Sequence, residues 1–119
     1  MAIKSYRDLD GWQVSMLLVE QVYELTEGFP GHAAHGLTAQ LRRAAVGIPS
    51  NVSEGHQRGP RAYRYCVTIA LGCQAECETQ LELALRLKLA APDEVRSVMD
   101  TAARVGRILH GLVRSLPRD

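Results

Sequence analysis

Four stretches of the chain repeat apolar residues at helical spacing, separated by short breaks rich in glycine and proline. In the first, Trp12, Met16, Val19 and Tyr23 recur on one face with Leu18, Val22 and Leu25 beside them. Steps of three and four residues are the mark of an amphipathic helix. Asp10 with Gln13 reads as a capping box, and Leu9 with Val14 as its hydrophobic staple. Gly28, Pro30 and Gly31 close the element, so the pattern predicts a helix over about 11–27.

The second stripe is Leu37, Leu41, Ala44, Ile48 and Val52, and it runs straight through Pro49. An interior proline loses one backbone hydrogen bond and clashes with the preceding turn, a penalty of about 3 kcal/mol in an isolated helix. Either the helix ends near Gly47 and restarts with Pro49 in its first turn, or it continues with a kink. The stripe keeps its phase across the proline, and Gly47 and Ser50 flank it, which favours one kinked helix over about 37–57. Ser50, Asn51, Ser53 and Glu54 then read as side chains that occupy polar backbone groups around the kink and tie it to its neighbours.

Gly55, Gly59 and Pro60 punctuate next, and a third helix is expected over about 61–90. Its first half, with Tyr63, Tyr65, Cys66, Val67, Ile69, Ala70 and Leu71, is apolar on most sides, more than one intramolecular core needs. Pro92, Asp93 and Glu94 start a fourth helix over about 93–116, the acidic pair lying at the positive end of its dipole. Val95, Val98, Ala102, Val105, Leu109, Leu112 and Leu116 form a heptad seam along it. Short connections imply antiparallel neighbours. The expected fold is all-α, an antiparallel up-down four-helix bundle with a proline kink in the second helix, formed by residues 1–119 as a single domain.

Composition narrows this little. With 119 residues, 46% of them hydrophobic and only 5% aromatic, the core must be aliphatic. The N-terminus lacks the apolar centre of a secretion signal and no apolar run is long enough to span a bilayer, so a cytoplasmic protein is expected. Cys66, Cys73 and Cys77, an odd count, speak against a disulfide framework. The net charge of +1 conceals an uneven distribution. Residues 1–35 carry Asp8, Asp10, Glu20, Glu24 and Glu27 against Lys4 and Arg7. Residues 36–64 carry Arg42, Arg43, Arg58, Arg61 and Arg64 against Glu54 alone.

Candidate chemistry is sparse. The three cysteines share one side of the third helix, but Cys66 and Cys73 lie about 10 Å apart along the axis and lack a fourth ligand, so they read as small apolar core residues rather than a metal site. His32, His35, His56 and His110 have no evident carboxylate or cysteine partner. No nucleophile motif, phosphate-binding glycine loop or metalloprotease signature occurs. No catalytic residue, cofactor, metal or small-molecule substrate is therefore expected, and an enzyme built on Ser50 to Glu54 is the weakest reading. The arginines remain: a guanidinium stays charged and pairs with phosphate through two parallel hydrogen bonds, and Tyr63 and Tyr65 add aromatic surface for an unpaired base. The competing reading pairs Arg42 or Arg43 with Glu20, Glu24 or Glu76 across the bundle.

The stretch QLRRAAVGIPSNVSEG, residues 40–55, closely resembles the signature of the four-helix-bundle family encoded in intervening sequences of 23S ribosomal RNA genes. DLDGWQ at 8–13, VYELTEGFP at 22–30, GLTAQLRRA at 36–44 and IALGCQAECETQL at 69–81 resemble its successive blocks in order, over roughly residues 6–90. Gly47 departs from the family's usual serine, and Cys73 and Cys77 from serine and leucine. The resemblance implies a bundle that assembles as a homopentameric ring and associates with RNA, with Arg42, Arg43, Arg58, Arg61 and Arg64 as the contact candidates. It also touches a branch that accompanies retroelement reverse transcriptases. The alternative is accordingly a protein-interaction scaffold whose arginines dock an acidic partner such as a polymerase.

Overall fold

The computed structural model describes residues 4–118, Ala33 by its backbone only. Among them are four α-helices and no strand: α1 (Asp10–Glu27), α2 (His35–Arg58), α3 (Pro60–Arg86) and α4 (Pro92–Ser115). Short 3₁₀ turns at Tyr6–Asp8 and His32–Ala34 lead into α1 and α2. The molecule measures 44 × 25 × 19 Å, so α3, about 40 Å long at 1.5 Å per residue, spans its long dimension.

One cluster of aliphatic side chains lies between the helices. Leu18 and Val22 come from α1, Leu41, Ile48 and Val52 from α2, Val67 and Leu81 from α3, and Val95, Val105 and Leu109 from α4, all fully buried. The heptad seam of α4 is the core face as far as Leu109, while Leu112 and Leu116 are only partly covered. Among the described residues Gln74 is one of four buried polar ones, with Ser15, Thr26 and Gln80. It is buried where α3 crosses α4, packs on Gly106 and donates from Nε2 to the carbonyl of Ala102 at 2.9 Å, which satisfies its amide within the core.

Pro49 does not end α2; the helix is continuous from His35 to Arg58 and buries the proline ring. The polar residues after it act locally. Asn51 donates from Nδ2 to the carbonyl of Gly47 at 2.8 Å, and Ser53 donates to the carbonyl of Ser50 at 3.1 Å. Glu54 faces Arg58 one turn on. These bonds stay within α2, and neither carbonyl is that of Ala45, the one a residue with an amide at position 49 would have bonded.

Two boundaries differ from the sequence expectation for identifiable reasons. The capping box sits one turn earlier than Asp10 and Gln13: Asp8 Oδ2 accepts from the amides of Lys4 and Ser5, and Ser5 Oγ from that of Arg7. Leu9 is the residue before α1 and has no side-chain cap; Gln13 instead reaches back to the Arg7 carbonyl at 2.9 Å.

The other boundary is the end of α3, at Arg86 rather than near Ala90. The amide of Leu89 bonds the carbonyl of Ala84 and that of Lys88 the carbonyl of Leu85, a Schellman motif with Lys88 at the left-handed position, φ 57°. Glycine usually fills that place, and a lysine there gives no stop signal in the sequence. Lys88→Gly relieves the left-handed strain at some cost in chain entropy. It is expected to raise the unfolding free energy by about 1 kcal/mol in urea titration.

Candidate nucleic-acid interface

A single residue separates α2 from α3. Gly59 holds φ 108° and ψ 173°, a conformation that side chains other than glycine's rarely tolerate, and Pro60 then begins α3 with a preset φ. The reversal brings Arg58, the last residue of α2, close to Arg61 and Arg64 in the first turns of α3.

The three arginines do different things there. Arg58 Nη1 donates to Glu54 Oε2 at 3.0 Å, an exposed pair one turn apart that contributes little to stability. Arg64 turns inward across the bundle: its Nη1 donates to the carbonyl of Val113 at 2.6 Å and to that of Leu116 at 3.2 Å. The last carbonyls of a helix have no partner of their own and carry the negative end of its dipole, so a guanidinium is a strong cap for α4. Arg61 is exposed on the α3 side of a groove that it shares with Arg64, Tyr65, Thr68 and Arg118.

Arg118 belongs to this groove and was not among the sequence candidates. It lies 54 residues from Arg64 in the chain, and no local pattern marks it. The Arg64 bonds to Val113 and Leu116 explain its arrival, because they hold the end of α4 against the start of α3.

Arg42 and Arg43 are elsewhere. They precede Arg58 by about 16 residues on the same helix, about 24 Å along its axis. Arg42 is folded onto α1, where Nε donates to Thr26 Oγ1 at 2.8 Å and Nη2 to the Tyr23 carbonyl at 3.4 Å. Its guanidinium lies 4.4 Å from the centre of the Tyr23 ring, a cation–π contact. Its partners are thus a hydroxyl, a carbonyl and an aromatic face rather than a carboxylate. Arg43 is exposed.

The two tyrosines also divide. Tyr63 is only 8% exposed, stands edge-on to His56 with ring centres 5.4 Å apart, and has no hydrogen-bond partner for its hydroxyl. Burial pushes its phenol pKa up. It is a core residue and offers nothing to a ligand. Tyr65 is 65% exposed and stands in the basic groove.

Cysteine chemistry finds no support. Cys66 and Cys77 are buried, and Cys77 is pushed up to about 12 by burial, with Cys73, Glu76 and Glu78 adding to the effect. A thiol held that high carries no thiolate at neutral pH. Among the described residues no group of three or more histidines, cysteines and carboxylates could hold a metal ion, and no helix is long and apolar enough to cross a membrane.

Apolar surface is left uncovered on α3 and between α1 and α2, and at Leu17 of α1. Ile69 and Leu83 on α3 and Leu87 just past its end are exposed in line with Tyr65, at steps of four, fourteen and four residues, with the exposed Glu76 between Ile69 and Leu83. Between α1 and α2, a groove lined by Trp12, Met16, Val19, Val46, Pro49 and Ser50 lies open.

The comparisons with known proteins agree with this architecture. A crystal structure of a protein with unknown function from the S23 ribosomal protein family of Bacteroides thetaiotaomicron superposes with a TM-score of 0.81 at 18% sequence identity. The match covers 88% of this chain and 99% of that one. At such low identity it shows a shared fold and nothing of function. No curated protein sequence matches the chain. The family described as 23S rRNA-intervening sequence protein matches residues 7–111, which span α1, α2, α3 and α4 as far as Gly111. This chain belongs to the 23S rRNA-intervening sequence protein family.

Proposed function

We propose that this protein is a non-enzymatic, cytoplasmic homo-oligomer, a ring of five copies, that associates with RNA through the basic groove between the start of α3 and the segment after α4. The observation that carries the reading is the convergence of Arg61, Arg64 and Arg118 around the exposed Tyr65, from the first turns of α3 and the segment after α4. Arg58 stands beside them across the Gly59 turn. Arg42, committed to α1, is a structural residue in this reading, and Arg43 an outlying contact.

The paired contacts support an up-down antiparallel arrangement. Gly47 and Gly55 of α2 lie against Cys73 and Cys66 of α3, Gly11 of α1 against Leu109 of α4, and Arg64 near the start of α3 against the end of α4. In that arrangement Arg7, Arg58, Arg61, Arg64, Arg114 and Arg118 fall at one end of the bundle. Glu24, Glu27, Glu82, Asp93 and Glu94 fall at the other, together with Arg42, Arg86 and Lys88. Pro49 bends α2 within it, and Ser50, Asn51, Ser53 and Glu54 surround the bend. The apolar ridge of Ile69, Leu83 and Leu87 supports contact between copies, since a lone protomer has no use for it. Ring closure would repeat one modest patch five times and multiply the counterions released from a bound polyanion.

Light scattering on freshly purified protein tests the assembly, with five times the 13.1 kDa chain mass as the expected result. A single-chain mass overturns the ring. Affinity for RNA should fall steeply with salt. In Arg58→Ala/Arg61→Ala the slope of log K against log salt should flatten by about 0.7 for each phosphate the variant no longer neutralises. Binding that does not respond to salt, or no binding at all, removes the RNA reading.

The second reading is a scaffold whose arginines dock an acidic protein such as a polymerase, for which the open groove of Trp12, Met16, Val19 and Val46 offers apolar contact surface. Recovery of one protein and no nucleic acid from the native host would select it.

A further inference from the structure

We infer that copies of this chain join head to tail, the outer stripe of α3 (Ile69, Gly72 and Glu76) seating in the α1–α2 groove of the next copy, with Glu76 paired to that copy's Arg43. This rests on the ring reading above and deepens it by naming the two faces and their register.

Gly72 is otherwise unexplained. It sits exposed in the middle of α3, where glycine costs about 1 kcal/mol against alanine. Among the described residues nothing lies within 4 Å of a Cβ built on it, so packing inside the protomer does not call for a bare backbone there. It stands in line with Ile69 one turn before and Glu76 one turn after, both exposed. The outward face of α3 is thus an apolar side chain, a dip and a charge in succession.

The groove between α1 and α2 offers the complement. Trp12, Met16, Val19 and Pro49 line an apolar hollow, and Val46 stands exposed at its edge. Arg43 lies one turn before Val46 on the same face of α2 and is exposed. Neither Arg43 nor Glu76 has an ion-pair partner among the described residues. Ridge and groove belong to different faces of the protomer, so their contact is heterologous, the kind that repeats from copy to copy and closes into a ring.

Register follows from contacts within the protomer. Gly47 lies against Cys73 and Gly55 against Cys66. With α2 and α3 antiparallel, Glu76 is then level with Arg43 to within about two residues, or about 3 Å. Gly72 is level with Pro49, Ile69 with Ser50, and Val46 falls between Gly72 and Glu76. Rotation about an axis along the bundle moves every residue at constant height, so the same levels meet between neighbouring copies. Glu76 reaches Arg43, Val46 enters the dip at Gly72, and Ile69 enters the hollow beside Met16 and Pro49. Tyr65, one turn beyond Ile69, stays with the basic groove.

Size exclusion with light scattering, on the full-length protein over a dilution series, tests this. Glu76→Arg and Arg43→Glu each set like charges together and should raise the concentration at which the assembly half-dissociates about 10–100-fold. The two substitutions combined restore an opposite pair and should recover most of that loss. Gly72→Trp fills the dip and should give the mass of one chain while keeping the helical circular dichroism of the wild type. Single charge variants that assemble like the wild type, a combined variant no better than the worse single one, or a Gly72→Trp that still assembles overturns these faces while the ring stands. Should Gly72→Trp lose its helical signal, the charge exchange alone decides. A wild type with the mass of one chain removes the ring, and this interface with it.

Discussion

Gly55→Ala is expected to lower the unfolding free energy by about 2–3 kcal/mol, although alanine is the better helix former. A Cβ at position 55 would stand 2.7 Å from Cys66 Cβ, 3.0 Å from Tyr63 Cα and 3.3 Å from the Tyr63 ring. Two of those three atoms cannot move without moving α3 itself. The alanine therefore forces apart α2 and α3 beside the turn that leads into the basic groove. Gly72 provides the internal control. Nothing lies within 4 Å of a Cβ built there, so Gly72→Ala should raise the stability of the protomer by about 1 kcal/mol through helix propensity alone. Urea titrations of the two variants at one protein concentration should thus move in opposite directions. Equal shifts, or a stable Gly55→Ala, would mean that α2 and α3 do not approach as closely as described.

Arg64→Ala carries the second large effect, a loss of about 2 kcal/mol. The variant removes two charge-assisted bonds, at 2.6 and 3.2 Å, leaving the Val113 carbonyl with the Leu116 amide and the Leu116 carbonyl without its guanidinium partner. The last turn of α4, where Leu112, Val113 and Leu116 pack on the core, should then exchange its amide protons faster than the rest of the helix. Arg64→Lys should recover part of the loss, because an ammonium can cap a helix but has one centre for both carbonyls. A merely RNA-contacting arginine would behave otherwise: its removal would weaken binding and leave the melting of the free protein unchanged.

Periodicity in the chain carried the four helices because their core faces are aliphatic and their breaks are marked by Gly28, Gly59, Pro60 and Pro92. It also carried α2 through Pro49, where the stripe from Leu41 to Val52 never changes phase. The failures have one physical origin, which is that partners in space need not be near in sequence. Lys88 ends α3 by backbone geometry that no residue type announces. Tyr63 and Tyr65 look alike in the sequence, two residues apart, yet one faces α2 and the other water. The five arginines read as one basic segment because they are close in number. The fold separates Arg42 onto α1 and makes Arg64 a cap, and it supplies Arg118 from the far end of the chain.

The Sγ of Cys73 lies 2.8 Å from where a Cβ on residue 47 would stand. Serine, the residue usual in the family at position 47, therefore has no room beside this cysteine unless the thiol swings away. The two positions are coupled through that thiol, a bare backbone on α2 admitting a sulfur on α3 that a side chain at 47 would make rotate. Among related chains, drift at one of these sites should be found tied to drift at the other.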